Sequence, residues 1–322
     1  MTLSDTLAAV RAAPAAHEFR GAPVAGARDV MLGVDSSGSA CLFIRSEGAS
    51  RIPPMQTEKV KLRFDCEFTI TLTTGATEAG RFHYLTLSSV AREDEATFLL
   101  VIEAFLQRFN TQGPTAESLA SFFRSLIRLF STQPAGDLPI ARQGLWGELF
   151  FMRTCRGAAF WAPYWHSDPN RVFDFSAAAK RVEVKTTTSQ QREHRFSHRQ
   201  LFTFGRDEVA VASIQLIADD AGLTLRDLII ECRTALRDSE LLVKLEQSVR
   251  RAGMDSPLER GPSFNADSAR ETLGWYWAEE LPHFKSEEPE GVSETHYKVD
   301  LTRAPQIPSG RLTEWLNAWT IP

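Results

Sequence analysis

Residues 172–189 read VFDFSAAAKRVEVKTTTS, and they limit the folds open to this chain more than any other stretch. Two short apolar-rich runs, VFDF and RVEVKTT, flank the small-residue segment SAAA. Each run alternates, which is the period of a half-buried strand. Phe173 and Phe175 share one face with Asp174 opposite; Val182, Val184 and Thr186 point one way and Glu183 and Lys185 the other. Paired as a hairpin, the two runs bring Asp174, Glu183 and Lys185 to one side. A carboxylate on one strand and Glu-x-Lys on the next suit metal-dependent phosphodiester hydrolysis. Hard oxygen ligands hold Mg2+, and the ammonium stands beside the attacking water and the scissile phosphate. The same alternation also describes a strand with one buried and one wet face, on which Glu183 and Lys185 are an ordinary solvated pair.

Upstream lies LPIARQGLWGELFFMRTC, residues 138–155. Leu145, Leu149 and Met152 recur at helical spacing, and Pro139 suits a first turn. Glu148 is the only acid in this helix. It emerges at the helix edge, or pairs with Arg142 or Arg153, or is a third carboxylate turned toward the same site.

In order, GLWGELFF, a loop with Trp161, Pro163 and Trp165, VFDFS, VEVKTT and SHRQL resemble the PD-(D/E)xK nuclease superfamily. More narrowly they resemble a bacterial PD-(D/E)xK motif protein family of unknown function. The resemblance covers most of the chain and is strongest over residues 141–202. It implies an α+β or α/β fold with a restriction-endonuclease-like mixed central sheet flanked by helices. It also implies a Mg2+-dependent endonuclease, with Mn2+ as the substitute metal. On this resemblance Asp174 and Glu183 bind the metal, with the Val184 carbonyl as an added ligand. Lys185 orients or deprotonates the water and stabilises the phosphate, while Glu148 binds a second metal or orients the ligands. Ser197 and Gln200 match the family's Ser…Gln-Leu segment and suit a phosphate or a metal-bound water. One segment departs from the pattern: Leu281-Pro282-His283-Phe284 stands where an aromatic-Pro-Arg-Ile run is expected. The implied setting is bacterial restriction or phage defence. DNA is the implied substrate, with a helicase, ATPase or methyltransferase encoded nearby and a homodimer for cutting both strands.

Residues 190–199 carry Arg192, Arg195, Arg199, His194 and His198 against a single Glu193. This is either a set of backbone phosphate contacts or a solvated loop leading into a short helix. His194 and His198 are four apart, but no further ligand stands at helical spacing, which speaks against a metal role.

The formal net charge is −5, so this is not a protein that coats nucleic acid by charge alone. A nuclease of this balance needs a local basic groove, a divalent metal or a partner. The four cysteines are scattered without a Cys-x-x-Cys pair, as expected of reduced thiols in a cytoplasmic protein. Neither a signal peptide nor a membrane span is expected.

Residues 1–110 read as a small α+β domain and residues 111–322 as the nuclease-like domain. A helix over residues 1–13 precedes a hairpin turning at Ser36-Ser37-Gly38, then the alternating segment KLRFDCEFTITLTTG, a further strand, and helices over EDEATFLLVIEAFLQRFN and ESLASFFRSLIRLF, parted by TQGPT. Asp65 and Glu67 read as surface acids on a strand. Beyond the core, VAVASIQLI reads as a buried strand, two amphipathic helices follow, and TLGWYWAEEL and ETHYKVDL read as strands before a closing helix. Arg250 and Arg251 end the second helix, where its dipole favours cations. Two other classes stay open. One is a non-cleaving DNA-binding or structural subunit of a larger defence complex. The other is a carboxylate-pair glycosidase using Glu148 and Asp174, which has no need of Lys185.

Overall fold

The computed structural model describes the chain except residues 1, 15–17, 49, 110–112, 167–170, 204, 206 and 320–322. The chain forms two units, Met1–Thr132 with Arg237–Glu246, and Gln133–Leu236 with Gln247–Pro322. The boundary suggested after residue 110, and the start of the TQGPT break, lie outside the described residues.

In the first unit α1 (Leu3–Ala12) opens on a capping box. Thr2 Oγ1 accepts the Asp5 N–H at 3.2 Å, and the Asp5 carboxylate accepts the Thr2 N–H at 2.9 Å. Six strands follow: β1 (Phe19–Pro23), β2 (Val30–Val34), β3 (Ala40–Arg45), β4 (Met55–Gln56), β5 (Val60–Leu72) and β6 (Thr77–Leu87). Their order is β1-β2-β3-β6-β5-β4, and β1 also pairs with β5 in parallel. That extra pairing closes β1, β2, β3, β6 and β5 into a ring. At the β2–β3 turn, Asp35 Oδ1 accepts the N–H groups of Ser37 and Ser39. The segment KLRFDCEFTITL is one strand with a bulge between Arg63 and Cys66, where Asp65 takes a φ of 52°. The ring is filled by Phe19, Phe43, Phe68 and Tyr84, whose centroids lie 5.0–5.8 Å apart. Outside it, α1 packs on β2, α2 (Glu95–Leu106) on α1, and α3 (Ala116–Ser131) on β5. Asp65 is gripped by Arg81 Nε and Nη2 at 2.8 and 2.9 Å, and Glu67 lies 3.2 Å from the same guanidinium.

The second unit runs α4 (Leu138–Thr154), α5 (Ala158–Trp161), β7 (Phe175–Ala177), β8 (Lys180–Thr187), β9 (Glu193–Ser197), α6 (His198–Leu201), β10 (Glu208–Gln215), β11 (Ala218–Thr224) and α7 (Leu225–Ala235). Then come α8 (Ser239–Arg251), which begins in the first unit, β12 (Ser263–Phe264), α9 (Ala266–Glu271), β13 (Gly274–Trp277), β14 (His296–Asp300) and α10 (Ser309–Asn317). The central sheet has the order β13-β10-β8-β7. Strands β8 and β10 are parallel and the outer pairings antiparallel. This mixed sheet with flanking helices is a restriction-endonuclease-like α+β arrangement.

Two local readings change. The first strand of the expected hairpin starts at Phe175, so Asp174 stands just before it rather than within it. The spacer is also shorter than SAAA, because Ala177 pairs with Lys180 and only Ala178 and Ala179 turn, with Ala178 at a φ of 48°.

The larger difference is that β8 has no fully wet face: Glu183 is buried and Lys185 half-buried. Helix α4 covers the Val184 and Thr186 side. The antiparallel β9–β14 ribbon covers the other, where Phe196, Leu201, Val299 and Leu301 pack with Val209, Val211 and Tyr276. Val211 and Ser213 lie in register with Glu183 and Lys185. Among the described residues no helix is long and apolar enough to cross a membrane.

Candidate active site

Glu148 owes its position to the residue before it. A Cβ added at Gly147 would stand 2.3 Å from Thr186 Cγ2, so α4 approaches β8 more closely than any other side chain permits. One turn earlier, Gln143 Nε2 donates to Thr186 Oγ1 at 3.1 Å and fixes the same contact. Asp137 caps the helix by accepting the Ile140 N–H, and Pro139 sits in the first turn as expected. Glu148 pairs with neither expected arginine. Arg142 donates to the Ala252 and Gly253 carbonyls and reaches Glu259, while Arg153 pairs with Glu231. The Glu148 carboxylate instead accepts the Trp165 indole N–H at 2.6 Å.

The chain around Trp165 runs antiparallel to the start of β7. His166 N–H donates to the Asp174 carbonyl at 2.8 Å, and Ser176 N–H to the Tyr164 carbonyl at 3.0 Å. With its backbone held, Asp174 turns its side chain to β8 and accepts the Val184 N–H on Oδ2 at 2.7 Å. On β8 itself, Lys185 Nζ lies 2.7 Å from Glu183 Oε1 and 5.2 Å from the centre of the Phe196 ring.

Gln200 completes the cluster through hydrogen bonds within the chain. Ser197 caps the single turn of α6, and the Ser197 N–H donates to Gln200 Oε1 at 3.0 Å. That bond sets which end of the amide faces the site. Nε2 then donates to Glu183 Oε1 at 2.6 Å and to the Val172 carbonyl at 3.0 Å. Ser197 therefore works by orienting Gln200, and Gln200 by holding Glu183.

The arginines of the basic stretch divide. Arg192 leaves the cluster for the end of β10, donating to the Ser213 and Thr272 carbonyls, Ser213 Oγ and Gln215. Arg195 and Arg199 stay exposed on β9 and α6. His194 shares a 2.6 Å hydrogen bond with Ser213 Oγ, and burial pushes its pKa down to about 3, so its ring is neutral. His198 stacks on Phe202 and bonds the Tyr297 hydroxyl.

Three carboxylates thus surround one ammonium. Burial raises the Glu148 pKa to about 7; the Trp165 bond opposes the rise and the charge of Glu183 adds to it. Burial, then Glu183 and Glu148, hold Asp174 well above the usual aspartate range. Burial also raises Glu183, against the pull of Lys185. For Lys185 burial acts downward, but Glu183, Asp174 and Glu148 outweigh it and keep its pKa above that of ordinary lysine. Glu183 Oε2 is buried with no hydrogen-bond partner among the described residues. Among those residues no three His, Cys, Asp or Glu side chains close round a point as a metal cage would. On donor chemistry the cluster suits a hard divalent cation: its oxygens are all carboxylate, one of them is orphaned, and with every acid ionised two negative charges exceed the ammonium.

A cavity of about 260 Å³ opens on the cluster, lined by Glu148, Asp174 and Gln200 together with Arg171, Ser248 and Arg251. The last three escape sequence reasoning. So does the bond from Trp165, for which the demand of a buried indole N–H for an acceptor is the signal that was there to read.

A family model described as "Putative PD-(D/E)XK family member, (DUF4420)" matches residues 6–302. No curated protein and no solved structure matches the chain.

Proposed function

The chain belongs to the DUF4420 family of PD-(D/E)XK proteins, and from that premise we propose that it is a divalent-metal-dependent phosphodiester hydrolase, an endonuclease acting on DNA in bacterial restriction or phage defence. The supporting observation is the gathering of three carboxylates from α4, the approach to β7, and β8 around one ammonium, Glu183 buried and the other two half-buried, with Glu183 Oε2 left unpartnered among the described residues. Buried charge without a partner is costly, and an added cation removes that cost.

Asp174 and Glu183, with the Val184 carbonyl, would hold Mg2+ or Mn2+, and Glu148 would hold a second ion or orient the ligands. A divalent cation bound there supplies a more acidic water and offsets charge building on the phosphate. In the metal-free site Glu183 holds the Lys185 pKa above that of ordinary lysine, and Lys185 would stabilise charge on the phosphate and orient or help deprotonate the water. Gln200 and Trp165 set the directions of Glu183 and Glu148 before substrate arrives. Gly147 sets the depth at which Glu148 enters.

The test is nicking of supercoiled plasmid in Mg2+, Mn2+ or EDTA by wild type and Lys185→Ala. Metal-dependent nicking lost in the variant is the expected result. Absence of nicking, together with Mn2+ binding equal in wild type and Asp174→Asn by calorimetry, would overturn the reading.

A further inference from the structure

We infer that Arg251 and Arg171 form a phosphate-binding arm of this site, gripping the phosphodiester next to the one that is cut; the inference rests on the nuclease reading above. Both arginines line the same cavity as Glu148, Asp174 and Gln200. Arg171 differs from the other arginines around it. Arg142, Arg192 and Arg226 are engaged with backbone carbonyls. Arg171 is exposed and makes no hydrogen bond or ion pair with any described residue. Arg251 is half-buried at the C-terminal end of α8, near enough to Glu148 to favour its charged form.

A cavity lined only by carboxylates would repel a phosphate. Two guanidiniums in its lining reverse that, and each offers a planar fork matched to two phosphate oxygens. The space is of the right order. At about 30 Å³ per water, 260 Å³ holds a phosphate with its sugar, and Ala141, Gly144 and Ala252 keep that part of the lining free of long side chains. The substrate class this fits is a nucleic-acid strand that threads its backbone past the carboxylates, its neighbouring phosphate on the arginines.

The experiment compares wild type, Arg251→Gln and Arg171→Gln. It follows fluorescence anisotropy of a fluorescein-labelled 12-nucleotide single-stranded DNA, with Ca2+ replacing Mg2+, and Mn2+ affinity by calorimetry. Each substitution is expected to weaken DNA about tenfold and to reduce the salt dependence of binding by about one counterion, with Mn2+ affinity unchanged. Arg171→Gln alters an exposed side chain, so it reads out the arm even if Arg251→Gln fails to fold. Arg251→Lys, which keeps the charge and loses the fork, should fall between. DNA affinity and salt slope equal to wild type in the glutamine variants would overturn the arm. Should Asp174→Asn meanwhile abolish Mn2+ binding, the metal site stands without it. Should wild type bind neither Mn2+ nor the oligonucleotide, both readings fail.

Discussion

Strands β5 and β8 carry nearly the same device, an acid followed two residues later by a second charge: Asp65-x-Glu67 on one, Glu183-x-Lys185 on the other. On β5 only Glu67 stays at the surface, and the half-buried Asp65 lies against the exposed Arg81. Arg81 draws the Asp65 pKa below the usual aspartate range, and the Glu67 side chain remains 81% exposed. On β8 a helix covers one face and a two-stranded ribbon packs on the other, so the charges have little water and burial drives the carboxylate pKa values upward. Alternation alone does not distinguish the two. A second covering layer does, because it forces the charges on β8 to find partners inside the protein.

The largest expected difference is in activity. Lys185→Ala and Glu183→Gln should lower plasmid nicking roughly 10²- to 10³-fold, while Asp65→Asn and Glu67→Gln leave it unchanged. Equal losses at both strands would break the comparison.

Next comes pH. A carboxylate raised to about 7 on folding stabilises the protein below its unfolded pKa, and that stability is lost as pH rises through the folded value. Metal-free wild type should therefore lose on the order of 3 kcal/mol relative to Glu148→Gln between pH 4 and pH 8, measured by urea unfolding. Added Mn2+ should raise the Tm more at pH 8 than at pH 6, where fewer ligands are ionised. The lowered Asp65 has the opposite sign: its contribution is present at neutral pH and lost as pH falls through its depressed pKa.

Gly147→Ala should destabilise by about 1–3 kcal/mol through overpacking against Thr186 and reduce nicking. Thr186→Ser, which removes the methyl and keeps the hydroxyl that Gln143 contacts, should restore both. Failure of that rescue in thermal denaturation would mean that α4 can shift freely and that Glu148 is not placed by the contact. Gln200→Ala should cost roughly 10-fold in Mn2+ affinity by releasing Glu183. The smallest effect belongs to the turn between β7 and β8. Ala178→Gly should stabilise by about 1 kcal/mol, since alanine is strained at a φ of 48°, without changing nicking.

Much of this was legible in the sequence because it is local. The hairpin between β7 and β8, the α4 helix and the α6 turn each follow from periodicity or capping residues within a few positions. Asp174, Glu183 and Lys185 could be placed on one side because two alternating strands parted by a short small-residue segment pair readily as a hairpin. What escaped reading is set by distant chain. Nothing near β8 announces that β14, over a hundred residues on, will pair with β9 beside it. Arg192 was expected near substrate from its neighbours in sequence, but its geometry is decided by Ser213 and Thr272. Closure of the barrel depends on a parallel pairing of β1 with β5, for which single-strand alternation carries no signal. Arg251 read as a helix-end cation because the cavity it lines is assembled from α4, α6 and the approach to β7 as well.

The first unit is stitched from two stretches of chain, and that has a consequence for synthesis. Ser125 Oγ donates to the Glu240 carboxylate at 2.8 and 3.0 Å, and Arg108 faces Asp238 at 3.8 Å. Translation delivers Asp238 and Glu240 only after the whole of α4, β7 and β8 has left the ribosome. The barrel unit starts before the second unit, yet the second unit's first stretch, Gln133–Leu236, is made before the barrel unit is complete. Its last pieces arrive when Glu148, Asp174, Glu183 and Lys185 are already out, so synthesis of the two units is interleaved rather than one after the other, and a gene fragment cut at residue 132 would encode an unfinished barrel unit.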